Sequence, residues 1–199
     1  MQSLRAPQFD PATVDQHVHL AVDWRAFSAF LDARGEDAST RITYLDGELE
    51  IMAPSFNHEL IKTNLARMLE WWATEFDVEI NGYGSVTLKK ARQRAGLEPD
   101  ECYFVGPRAG RTSPDFAIEV VWTRGLIDKL EVYRRLAVKE VWVWEQGALS
   151  AWALSSGGYT RAKKSRLLPD LDFVLLARLA ASENQHAAVK SFRAALRRQ

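Results

Sequence analysis

The stretch "LEPDECYFVGPRAGRTSPDFAIEVVW", Leu97–Trp122, holds two apolar runs separated by a polar loop. "LEPDECYFV" reads as a strand, "GPRAGRTS" as a loop and "PDFAIEVVW" as a second, more apolar strand. A loop this short joins the two most simply as an antiparallel pair. If it is symmetric about Ala109 and Gly110, Asp100 falls directly across from Glu119. Opposed residues hold their Cβ atoms about 5 Å apart, where like charges destabilise the pair. Two carboxylates beside Ile118, Val120 and Val121 therefore need a compensating cation, or must reach solvent at the strand ends. Asp115 shares a strand face with Glu119, but four residues separate them by about 13 Å. One magnesium ion, with oxygen ligands at about 2.1 Å, cannot bridge that gap. Asp115 is thus read as the residue that opens the strand, and Asp100 as the partner of Glu119.

The next segment, "GLIDKLEVYRRLA" (Gly125–Ala137), reads as a helix. On a wheel of about 100° per residue, Leu126, Leu130, Tyr133, Leu136 and Ala137 share one arc. Lys129 falls inside that arc, while Asp128, Glu131, Arg134 and Arg135 lie opposite. A lysine there either extends its amine to solvent or meets an anion. The helix follows the Glu119 strand and should pack back on the same sheet, so the acid pair could be that anion.

Outward from this centre, "DWRAFSAFLDARG" (Asp23–Gly35) reads as a short helix with Trp24, Phe27, Phe30 and Leu31 on one stripe. "ITYLDGELEIM" reads as a hairpin, because Asp46-Gly47 suits a tight turn that needs positive φ at both centres. "APSFNHELIKTNLARMLEWWATEF" makes a long helix capped by Ser55 or Asn57, with Ile61, Leu65, Met68, Leu69, Trp72 and Phe76 buried. "VEINGYGSVTLKK" gives one or two strands, and "KEVWVWEQGALSAWAL" a second hairpin turning at Gln146-Gly147. Helical runs from about Phe173 close the chain. The expected fold is α/β (mixed α+β), a central mixed sheet flanked by helices, with an N-terminal β-hairpin.

Composition fits one domain over residues 1–199, with an N-terminal helical segment through residue 40 and a basic helical tail over 182–199. Lys plus Arg equals Asp plus Glu at 26 each, which argues against binding nucleic acid mainly by global charge. A single cysteine excludes an internal disulfide and a multi-cysteine zinc site. No apolar run approaches the roughly 18 residues of a membrane span, and "MQSLRAPQFDPATVDQ" lacks a signal-peptide core. A cytoplasmic protein with no membrane partner is the expectation.

The ordered set "EPD", "IEVVW" and "DKLEVYRRLAVKEVWVW", with "DGELEIMAPSFNHELI" before it, resembles the Uma-type endonuclease family. That family is a branch of the PD-(D/E)XK, restriction-endonuclease-like nucleases. The resemblance runs from about Tyr44 to Trp144, with a tail through "SRLLPDLDFVLL". It implies a restriction-endonuclease-like core and a catalytic set of Asp100, Glu119 and Lys129. The superfamily's usual lysine position, two beyond Glu119, is Val121 here. In the Uma branch the lysine is displaced onto the following helix, which matches Lys129. The resemblance at "GE" makes Glu48, rather than Glu50 on the same strand face, the auxiliary acid, unless that face is simply exposed. His58 matches a family position and is either an auxiliary residue or a satisfied buried histidine.

The implied activity is metal-dependent hydrolysis of DNA phosphodiester bonds by a Mg²⁺-dependent endodeoxyribonuclease. Asp100 and Glu119, with Glu48, would hold Mg²⁺ or Mn²⁺. Lys129 would position or deprotonate water and stabilise developing charge. Lys89, Lys90, Arg92 and Arg94 form one basic cluster that would contact DNA if it is not merely solvated, and Arg161–Arg166 holds another. The alternative is a catalytically inactive nuclease-fold module that binds nucleic acid or assembles as a homodimer. A homodimer is the expected assembly, and in the alternative reading the aromatic hairpins could build its interface.

Overall fold

The chain runs from one sheet into another at Glu98-Pro99-Asp100. The computed structural model describes residues 14–35 and 39–197. In it the expected single strand "LEPDECYFV" is two, β6 (Ala95–Leu97) and β7 (Glu101–Val105), which belong to different sheets. Pro99 cannot donate to a ladder, and it biases Glu98 toward extended backbone, so pairing stops there and the chain crosses over. Asp100 is thereby placed at the seam between the sheets, at the mouth of β7.

The first sheet contains β1 (Gln16–Ala21), β2 (Arg41–Leu45), β3 (Glu48–Ala53), β5 (Leu88–Lys90) and β6, in the order β1-β3-β2-β6-β5. All its pairs are antiparallel. The expected hairpin β2–β3 turns at Asp46 and Gly47, whose φ values are 50° and 110°. Strand β1 was not foreseen; it lies inside the stretch expected to be helical through residue 40. The part of that stretch before residue 14 is outside the described residues. α1 (Trp24–Arg34) starts where Asp23 caps it and packs Phe27 and Leu31 against Ile42, Tyr44 and Leu49.

The second sheet runs β11-β10-β9-β8-β7-β4, with β4 (Ile80–Gly82), β8 (Phe116–Val121), β9 (Glu140–Glu145), β10 (Ala148–Ser155) and β11 (Gly158–Ala162). β8 and β9 are parallel and the other pairs antiparallel, so the sheet is mixed and the most apolar strand is interior. The crossover between β8 and β9 is α3 (Lys129–Leu136), as a parallel pair requires. α2 (Phe56–Glu75), α4 (Phe173–Ala180) and α5 (Gln185–Leu196) cover the opposite face.

Alternation along β8 follows from this double cover. Phe116, Ile118 and Val120 enter the core with Leu65, Leu69 and Trp142, while Ala117 packs with Cys102, Val132 and Tyr133. Glu119 shares the parity of Ala117 and so faces α3. Ser55 caps α2 by accepting from the His58 N–H, and the expected stripe is buried except at Phe76, which ends the helix half exposed. Trp142 and Trp144 are core residues. α3 is shorter than expected: Asp128 accepts from the Glu131 N–H and caps it, so the helix begins at Lys129. Leu126 precedes the helix and is 82% exposed.

Candidate active site

Strands β7 and β8 pair Glu101 with Ile118 and Cys102 with Ala117. One residue further along the same register, Asp100 meets Glu119. The loop is symmetric because Ala109 and Gly110 both take positive φ and the Arg111 N–H closes the turn on the Arg108 carbonyl. Asp100 reaches back across the strand end, where its Oδ2 accepts from the Val120 N–H at 2.8 Å. Both carboxylates are buried, so neither reaches solvent.

Each acid has its own cation. Lys129 Nζ lies 2.6 Å from Glu119 Oε2, and the Tyr133 hydroxyl, one helical turn on, donates to Glu119 Oε1. As the first residue of α3, Lys129 is aimed at the sheet by the Asp128 cap. On the other side, the His58 ring stands between two aspartates: Nε2 is 2.9 Å from Asp100 Oδ1, and Nδ1 is 3.1 Å from Asp15 Oδ2. Asp15 is held in turn by the N–H groups of Ser55 and Thr123. Arg41 adds a second, more distant cation, with Nε 3.8 Å from Asp100 Oδ1.

These contacts order the protonation states. Burial disfavours charge on His58, but the Asp100 and Asp15 carboxylates override it and push the imidazole up to about 10. Burial likewise opposes charge on Asp100, yet the facing His58 cation holds its carboxyl well below the usual range. Burial raises Glu119 above the ordinary glutamate value against the pull of Lys129. Lys129, although desolvated, is raised by Glu119 and Asp100 and stays an ammonium.

Glu119, Lys129, His58, Asp15 and Glu50 line one cleft of about 590 Å³. Glu50, not Glu48, is the hairpin acid brought to it. Glu48 stands at the exposed start of β3, whereas Glu50, two residues deeper on the same face, is buried and accepts from the Leu126 N–H at 2.8 Å. Gly125 permits this approach, since a Cβ there would come within 2.3 Å of the Glu50 carboxylate oxygens. β1 and the residue just before it bring Asp15, His17 and His19 to this side at every second residue. Their alternation in "DQHVHL" is the signal that could have revealed the strand.

The basic cluster Lys89–Arg94 does not line the cleft. Lys90 donates to the Leu136 carbonyl at the end of α3, Arg94 lies 4.0 Å from Asp46, and Lys89 and Arg92 are exposed. The cations lining the cleft besides Lys129 are His58, Arg124 and Arg161 among the described residues. Asp115 is occupied structurally: it accepts from the Val105 N–H and pairs with Arg111 and Lys139. Val121 lines the cleft at the end of β8.

A divalent cation of the kind the sequence resemblance implies suits the acid pair in donor type. Carboxylate oxygens are the ligands of hard cations, and each keeps two lone pairs, so one donated hydrogen bond does not fill it. Asp100 Oδ1 is buried, and despite its closeness to His58 it has no partner in hydrogen-bonding geometry.

Residues 27–181 match the Uma2 family, described as "Putative restriction endonuclease". The chain belongs to the Uma2 family. Its fold resembles the crystal structure of "a putative nuclease belonging to DUF820" from Anabaena variabilis ATCC 29413. The two share 10% sequence identity with a TM-score of 0.50, over 71% of this chain and 91% of that one. No curated protein matches the sequence. The Uma2 match takes in Glu48, Glu50, His58, Asp100, Glu119 and Lys129 but leaves out β1, so His17 and His19 lie beyond it.

Proposed function

We propose that this Uma2 protein is a metal-dependent endonuclease that hydrolyses DNA phosphodiester bonds, with Asp100, Glu119 and Lys129 as its catalytic set. The observation that carries the reading is the 2.6 Å contact from Lys129 Nζ to Glu119 Oε2, on the strand whose next N–H, that of Val120, holds Asp100. The lysine missing at Val121 is thereby replaced from the next element. Asp100 and Glu119 would hold Mg²⁺ or Mn²⁺, which when bound supplies Lewis-acid chemistry and an acidified water.

The chain's own groups divide the remaining work. Lys129, held as an ammonium by two carboxylates, donates; it orients water and offsets charge building on the phosphate, and it does not act as the base. Arg124 and Arg161 flank the cleft where phosphates would lie.

A second reading has one observation in its favour: His58 and Lys129 already neutralise the acid pair without any added ion. It would make the chain a nucleic-acid-binding module without cleavage. Plasmid cleavage in Mg²⁺ or Mn²⁺ separates the two. Cleavage that Asp100→Ala and Glu119→Ala each abolish supports the nuclease. Salt-sensitive DNA binding without cleavage supports the module, and cleavage surviving both substitutions moves the site elsewhere.

A further inference from the structure

Strand β1 contributes a second cluster that the nuclease set does not use. His17 and His19 project from one face of β1, their rings nearly parallel with centroids 6.2 Å apart, and Glu50 reaches them from the neighbouring β3. Glu50 Oε1 lies 3.4 Å from His17 Nδ1, and Glu50 Oε2 lies 3.5 Å from His19 Nε2. A donor atom from each of the three lies within 4.8 Å of the others.

We propose that His17, His19 and Glu50 form a binding site for a divalent transition-metal ion of the zinc class, separate from the Asp100–Glu119 pair. Four features carry this. Tetrahedral bonds of about 2.1 Å set neighbouring donors about 3.4 Å apart, close to the 3.4 Å and 3.5 Å that the two Glu50 oxygens keep, one to each ring. Two imidazoles and one carboxylate select zinc-like ions over magnesium, which takes oxygen donors almost exclusively. His17 Nδ1, the nitrogen that faces Glu50, is buried and makes no hydrogen bond of normal geometry, a state that costs free energy unless something binds there. Finally, the Leu126 N–H already fixes the Glu50 carboxylate, and Gly125 leaves room for it, which is the outer support that metal ligands receive.

Three protein donors leave a coordination position for water or a phosphate oxygen. His17 and Glu50 line the same cleft as Glu119 and Lys129, so the ion would add a positive centre beside the acid pair. The site stands independently of the nuclease reading, because its test reads metal binding alone.

The test is calorimetric titration of the full chain with zinc chloride at neutral pH, beside His17→Ala, His19→Ala and Glu119→Gln. The site predicts saturable binding that each histidine substitution weakens at least tenfold and that Glu119→Gln leaves in place. Binding unchanged in both histidine variants, or abolished by Glu119→Gln alone, overturns it. Should a histidine variant fold poorly, imidazole nitrogen resonances of the unaltered chain decide, since the chain has only four histidines. Zinc should shift those of His17 and His19 and leave His186 unmoved; no shift at His17 and His19 overturns the site.

Discussion

Glu119 is a buried carboxylate with a lysine on one oxygen and a tyrosine hydroxyl on the other, and its stability depends on keeping that company. Lys129→Ala leaves the carboxylate buried without its cation, and such changes cost about 3–5 kcal/mol. A quarter of the lysine side chain is exposed, which lets water reach the vacancy and places the expected loss at about 3 kcal/mol, the low end of that range. Urea denaturation measures it, and adding Glu119→Gln to the same chain should return part of the loss. A midpoint unmoved by Lys129→Ala would mean that the amine is solvated. His58 gives a pH signature of its own. Its folded pKa is raised from 6.5 to about 10, so its stabilising contribution is complete below about pH 6.5 and is lost as pH rises through about 10. Stability should fall over that alkaline window, and His58→Gln should flatten the fall. An identical alkaline slope in both proteins would remove His58 from the charge network.

Among the elements, those with strong local chemistry were legible and those defined by tertiary context were not. Asp46-Gly47 and Gln146-Gly147 announced their hairpins because tight turns demand positive φ, and both pairs adopt it. The Ala109-Gly110 loop set the register that opposes Asp100 to Glu119 for the same reason. The start of α3 was misplaced because Leu126 and Ile127 continue the apolar pattern, although Asp128 is a good cap and ends the argument in favour of Lys129. β1 escaped notice because it is an edge strand of six residues whose apolar face, Val18 and Leu20, stays exposed. Glu50 and Glu48 share a face, so only the position of the Gly125 loop could choose between them. Gly125→Ala tests that packing: the added methyl must displace a pinned carboxylate, an overpacking cost of about 1–3 kcal/mol. Thermal denaturation checks it, and an unchanged Tm would show that Glu50 moves aside freely.

On the scale of the whole molecule, the two sheets meet where Pro99 stops one ladder and Asp100 opens the next. The mixed sheet with its interior apolar strand was readable from the order of runs, but the division into two sheets was not, since "LEPDECYFV" looks continuous until the proline is weighed. The seam gathers side chains from β1, β3, α2, β8 and α3 around one cleft, with the Asp100 that opens β7 buried behind it. A helix lysine thereby stands against Glu119 although the strand position two residues on holds Val121. The most direct measurement is the rate of Mn²⁺-dependent plasmid cleavage by Lys129→Met, folded by circular dichroism, against the unaltered chain. Loss of one such donor predicts a drop of about 10²–10³-fold with DNA binding retained. Cleavage at the unaltered rate would contradict the assignment of Lys129 as the lysine of this site.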